Sequence, residues 1–113
     1  MAEIIEINEC DLNYYIEQGN LTLLLIWIKR CDQCDAFKPI FKKLTEHYPE
    51  ATFLSMNMLS SMENLRCAET YEVETTPIVP VFCKGEHIGT FVGYYNLDEF
   101  KQNLKKIRSE HNC

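Results

Sequence analysis

Eight consecutive residues at positions 21–28, Leu-Thr-Leu-Leu-Leu-Ile-Trp-Ile, carry a single polar side chain, with Asn20 before them and Lys29 after. A strand with one wet face alternates apolar and polar residues. A run without alternation marks a strand buried on both faces, which happens where helices cover both sides of a sheet. A membrane span needs about 20 such residues, so this run is too short to be one.

The flanking sequence supplies those helices. Residues 3–7 alternate as a short strand, with Asn8 as N-cap of a helix over 9–18 that carries Leu12, Tyr15 and Ile16 on one face. Gly19 follows as its C′ glycine. Phe37, Ile40, Phe41 and Leu44 recur at i, i+3, i+4 and i+7, predicting an amphipathic helix over 32–47 with a kink at Pro39. A strand is expected over 51–58 and a helix over 62–71. A hairpin joins 78–83 to 87–92 through a turn at 84–86. Pro80 falls inside the first hairpin strand, where it cannot donate to the ladder and predicts a local irregularity. Leu97, Phe100, Leu104 and Ile107 define a last helix over 96–108, capped by Asn96 with Glu99 three residues on. The order βαβαβαββα predicts an α/β fold: a mixed sheet of about five strands with helices on both faces, the 113 residues forming a single domain.

Eleven Lys and Arg against seventeen Asp and Glu give a formal net charge of −6. That balance argues against a nucleic-acid partner, which needs a basic footprint, and against docking on anionic membranes. The acidic start, Met-Ala-Glu-Ile-Ile-Glu, lacks the basic and apolar stretches of a signal peptide, so a cytoplasmic protein is expected. There, Cys10, Cys31, Cys34, Cys67, Cys83 and Cys113 read as free thiols, metal ligands or redox groups.

The sharpest of these signals is Cys31-Asp32-Gln33-Cys34, directly after the apolar run and at the start of the amphipathic helix. At a helix N-terminus, unpaired N–H groups and the helix dipole stabilise a thiolate on the first cysteine. The second lies one turn on, within reach of a mixed disulfide formed at the first. Zinc would require two further ligands. The remaining Cys and His residues show neither a second C-x-x-C nor an H-x₃₋₅-H pair, so no metal is expected.

Across about residues 2–108 the chain resembles the thioredoxin family. Trp27 stands four residues before Cys31, Pro39 at the family's helix kink and Asn57 at the polar end of the third strand. The segment 71–77 is similar to the one leading into the family's cis-proline, residues 81–86 to its strand and turn, and Gly93 to its groove glycine. The resemblance implies a thiol–disulfide oxidoreductase that reduces protein disulfides, with Cys31 as nucleophile, Cys34 as resolving thiol and no bound cofactor. It implies a substrate groove of Trp27, Arg30, Asp32, Gln33, Thr76, Pro77 and Gly93, with the Thr76–Pro77 peptide cis. It also implies electrons from an NADPH-dependent thioredoxin reductase, electron transport and cell redox homeostasis as roles, and a monomer.

Departures from the family pattern keep a second reading open, a low-turnover thioredoxin-like binding module using the same groove. Asp32-Gln33 replaces Gly-Pro, Arg30 replaces a Trp, and Asp35 stands where Lys is common. Leu25 and Ser55 replace a buried Asp and a nearby Lys. Losing both charges is coherent, because one left alone in the interior would cost several kcal/mol. Among the other cysteines, Cys10 reads as a helix-face residue, Cys67 and Cys83 as buried small side chains. Cys113 reads as an exposed thiol able to link two copies. Tyr94 and Tyr95 border the groove or pack beside it, and Met56, Met58 and Met62 read as packing residues.

Overall fold

The computed structural model describes residues 3–113, and of residues 9 and 10 the backbone alone. Its elements are β1 (Ile4–Glu6), α1 (Glu9–Gln18), β2 (Leu21–Trp27), α2 (Asp32–His47), β3 (Thr52–Asn57), α3 (Met62–Glu69), β4 (Ile78–Cys83), β5 (Glu86–Val92) and α4 (Leu97–Glu110). The five strands form one mixed sheet in the order β1-β3-β2-β4-β5. The first three run parallel, while β4 is antiparallel to β2 and β5 to β4.

The unbroken apolar run becomes the central strand, buried from Leu21 to Ile26. Its side chains alternate between two cores. Leu21, Leu23 and Leu25 pack with Phe37, Phe41 and Leu44 of α2 and with Phe100 and Leu104 of α4. Leu24 and Ile26 pack with Leu12 and Ile16 of α1 and with Cys67 and Ala68 of α3. Each fully buried side chain of this size contributes about 1.5–3 kcal/mol. The capping box expected at the start of α4 is present, with Asn96 and Glu99 each accepting the other's backbone N–H.

Local differences from the sequence reading have identifiable causes. Gly19 is extended (φ −92°) rather than left-handed. Glycine is required there by space, since a Cβ would sit 2.8 Å from Thr22 Oγ1. Asn8 caps α1 without a side-chain hydrogen bond, and its Oδ1 instead accepts from Asn64 Nδ2 at 3.4 Å. The hairpin turn is only Lys84-Gly85, both at positive φ (52° and 85°), so Glu86 already belongs to β5. Pro80 lies where the β2–β4 ladder skips between the pairs Leu23–Val81 and Ile26–Ile78, and the β4–β5 register shifts at Val81/Phe82. Met62, expected to pack, is 59% exposed.

The cysteines bring the main correction. Cys83 and Cys113 form a disulfide with a Cα–Cα distance of 6.2 Å, so neither the isolated buried thiol expected at 83 nor the exposed one expected at 113 exists. Two observations underlie the pairing. The chain after α4 turns back, with the Cys113 N–H donating to the Arg108 carbonyl at 2.8 Å, and Cys83 and Cys113 pack on the same core. Cross-linking a loop of this length removes unfolded-chain entropy worth about 3–4 kcal/mol. Cys67 is buried as expected, and the helix-face reading of Cys10 lies outside the described side chains.

Candidate active site

The central strand β2 ends at Trp27, and α2 then begins at Asp32 with Cys31 as its N-cap residue. The Cys31 sulfur does the work of a capping oxygen by accepting the Cys34 backbone N–H at 3.1 Å. From the other side, the Thr76 hydroxyl lies 3.3 Å from Cys31 Sγ and the Thr76 carbonyl oxygen 3.7 Å from it. Cys31 and Cys34 are disulfide-bonded, Cα–Cα 5.2 Å. Cys31 is partly exposed and Cys34 fully buried, so an approaching group meets Cys31 first. Once the pair is reduced, the N–H and O–H groups aimed at Cys31 Sγ favour negative charge on that sulfur.

The segment facing the pair is held by β4. The Thr76–Pro77 peptide is cis, and the Pro77 carbonyl accepts the Gly93 N–H at 2.8 Å. Gly93 has φ +84°, a region where a side chain is strained, and a Cβ there would lie 3.7 Å from Gln33 Oε1. Gln33, Pro77 and Gly93 thus meet beside Cys31, with exposed Val92 and Tyr94 on either side of Gly93. Tyr95 packs against Phe91 and Phe100 instead. Asp32 is exposed, as is Arg30, whose backbone is left-handed (φ 58°) immediately before the nucleophile candidate.

At the end of β2, Trp27 Nε1 donates to Ser55 Oγ at 2.8 Å, which fixes the indole. Lys38 Nζ lies 3.6 Å from the centroid of that ring, a cation–π contact worth about 0.5–1 kcal/mol when exposed. Leu25 and Ser55 are register partners, 2% and 3% exposed. Both also line a cavity of about 520 Å³ whose rim carries Glu6, Asp35, Lys38 and Lys42. Among the described residues no cluster of His, Cys, Asp and Glu is arranged to hold a metal ion, and no helix is long and apolar enough to cross a membrane.

The thioredoxin family model matches residues 3–106. The chain belongs to the thioredoxin family. A thioredoxin of Staphylococcus epidermidis is 28% identical over 109 residues, covering 96% of this chain and 97% of that one. Among solved structures, a mutant thioredoxin from Halobacterium salinarum superposes with a TM-score of 0.81 at 21% identity, covering 93% of this chain and 90% of that one. The oxidised mitochondrial thioredoxin 3 of Saccharomyces cerevisiae superposes with a TM-score of 0.79 at 22% identity, covering 91% and 94%. These likenesses establish the thioredoxin fold, and membership together with the Cys31–Cys34 disulfide is consistent with thiol–disulfide oxidoreductase chemistry.

Two features of this thioredoxin-family site were not read from the sequence. The Thr76 side chain, and not only its backbone, reaches Cys31. Lys38 covers Trp27, a contact whose only sequence trace is its place one turn after Cys34 on α2.

Proposed function

We propose that the chain reduces protein disulfides through Cys31 and Cys34. The carrying observation is the asymmetry of the pair: a partly exposed Cys31 sulfur that receives the Cys34 N–H at 3.1 Å, against a Cys34 with no exposed surface. In the reduced enzyme, Cys31 thiolate attacks one sulfur of a client disulfide. The client's other sulfur leaves and takes a proton. A client segment lying along Thr76 and Gly93, between Val92 and Tyr94, is held in line with Cys31 for this step. Cys34 then loses its proton and attacks Cys31 Sγ, expelling the second client thiol and closing the Cys31–Cys34 disulfide. Two electrons from a reductase, for this family a thioredoxin reductase, reopen it. Trp27, Arg30, Asp32 and Gln33 border the approach, and the cytoplasm is the compartment that suits a reducing role.

A low-turnover binding module using the same groove is the second reading, favoured by one observation, the buried Leu25 at the position where the family pattern has an acidic residue. An insulin-reduction assay with dithiothreitol separates the two. Acceleration over the blank is expected, and its absence supports the module. For the residue roles, Cys34→Ser should trap mixed disulfides with client proteins while Cys31→Ser should not. Equal trapping by both variants overturns the assignment.

A further inference from the structure

Thr76 borders the groove through its backbone, yet its side chain also reaches the reacting sulfur. Among the described residues Cys31 Sγ meets three polar atoms: the Cys34 backbone N–H at 3.1 Å, Thr76 Oγ1 at 3.3 Å and the Thr76 carbonyl oxygen at 3.7 Å. In the disulfide that sulfur carries no proton, so the hydroxyl is the donor of the 3.3 Å contact and the carbonyl has nothing to accept. Reduction changes the balance. A Cys31 thiol can donate to the Thr76 carbonyl, whereas a thiolate is repelled by that carbonyl and accepts from the hydroxyl. Hydrogen bonds to an ionised partner are about twice as strong as those between neutral groups. The hydroxyl therefore favours the thiolate, and the carbonyl favours the thiol.

Formal charges near the sulfur do not decide between the two forms. Lys29 and Arg30 before Cys31, and Asp32 and Asp35 after it, are all exposed, two of each sign. On the facing segment Glu72 and Glu74 are exposed, and on α2 Lys38 is held over Trp27. Val92 and Tyr94 beside Gly93, and Asn57 at the end of β3, bring no formal charge. Charges standing in water are screened by salt. The Cys34 N–H is backbone, present whichever non-proline residue stands at 34. That leaves the Thr76 hydroxyl as the side-chain donor at the nucleophile candidate, among the described residues.

We propose that the Thr76 hydroxyl is a further catalytic group of this site, donating to the Cys31 thiolate and so holding the nucleophile ionised before it attacks. The inference rests on the reading of Cys31 as the attacking sulfur. The hydroxyl transfers no proton itself. As Cys31 Sγ bonds to one client sulfur, the client S–S bond breaks, and its electron pair leaves on the other client sulfur, which takes a proton from water. Negative charge leaves Cys31 in that step, so the Thr76 hydrogen bond is strongest before attack. A thiolate stabilised in this way is also a weaker nucleophile, by about half a power of ten for each pH unit its basicity falls. The hydroxyl thus makes more thiolate, each one less reactive.

Those opposed effects give the test its signature. The full chain carrying Cys34→Ser keeps one thiol of the pair, and its attack on uncharged bis(2-hydroxyethyl) disulfide is followed against pH, with the adduct on Cys31 quantified by peptide mass spectrometry. Thr76 is only partly buried, so Thr76→Val removes the hydroxyl while keeping the shape and the core. It should move the midpoint of the rate profile up by about one pH unit. Below both midpoints the Val chain should react about threefold slower, and on the alkaline plateau about threefold faster, so the two profiles cross. Thr76→Ser, which keeps the hydroxyl, should follow the parent profile. With both cysteines present, Thr76→Val should lower the reduced fraction at a fixed glutathione ratio, because the reduced form loses its stabilised thiolate. A Val profile that is unshifted or uniformly slower, or a Ser profile that moves as far as Val, overturns the proposal. A chain that shows the crossing yet fails to reduce insulin loses the reductase reading and keeps this one, while an active chain with an unmoved profile does the reverse.

Discussion

Leu25 and Ser55 are register partners on β2 and β3 and line one cavity with Asp35, the residue after Cys34, and neither can serve as a base. The resolving thiol must lose a proton before it attacks the mixed disulfide, and a positioned base is worth about 10²–10⁴-fold in such steps. Leu25→Asp should therefore speed resolution in stopped-flow turnover while lowering the thermal midpoint, because a buried carboxylate carries a desolvation cost of several kcal/mol. Unchanged or slower resolution in a folded variant would show that the proton already has another acceptor. The same strand carries a second residue-scale conflict. Thr22 is 1% exposed and its hydroxyl finds no hydrogen-bond partner among the described residues. Thr22→Val keeps the shape and removes the unmet polar group, so denaturant unfolding should report a gain of about 1 kcal/mol. A loss would mean that the hydroxyl is bonded in solution.

At the scale of elements, most of the chain was legible because its patterns are strong. The apolar run of β2, the i, i+3, i+4, i+7 spacing on α2 and the Asn96–Glu99 cap each admit one interpretation, and α1, α2 and β4 have the expected bounds. Where the structure departs from the sequence pattern, the deciding fact is packing space or backbone geometry that the pattern does not carry. Gly19 follows α1 where a left-handed helix-ending glycine is expected, but its role is to make room for Thr22. The turn expected over 84–86 is one residue shorter, Lys84-Gly85, because both residues adopt positive φ, which the residue types alone do not state. Such a two-residue hairpin turn favours Asn-Gly over Lys-Gly. Lys84→Asn should raise the unfolding free energy by about 0.5–1 kcal/mol, measured by urea titration, whereas destabilisation would mean that the Lys84 side chain matters more than its backbone strain.

For the whole molecule, the cysteine count was the least legible quantity. Outside the active pair four cysteines allow three complete pairings, and only the return of the chain past Arg108 brings 83 and 113 together. Alkaline pH probes another long-range contact. Tyr71 packs against Phe82 and His87, and burial, followed by the charge of Cys67, pushes its pKa up to about 12 from 10.0. The unfolded chain releases this proton first, so the stability is intact below about pH 10 and is lost progressively as pH rises toward 12. In Tyr71→Phe the slope of stability against pH should be shallower in that window, and an unchanged slope would refute the assignment. The Cys83–Cys113 bond also redirects mechanical load. Tension applied at the C-terminal end passes through the sulfurs into β4, leaving β5 and α4 inside a closed loop with a sequence separation of 30. In single-molecule stretching the oxidised chain should come out about 100 Å shorter than the reduced one, the reach of about 30 extended residues. Equal lengths would mean that the loop is open, while the shorter length describes a protein whose last quarter bears no force until a chemical bond is cut.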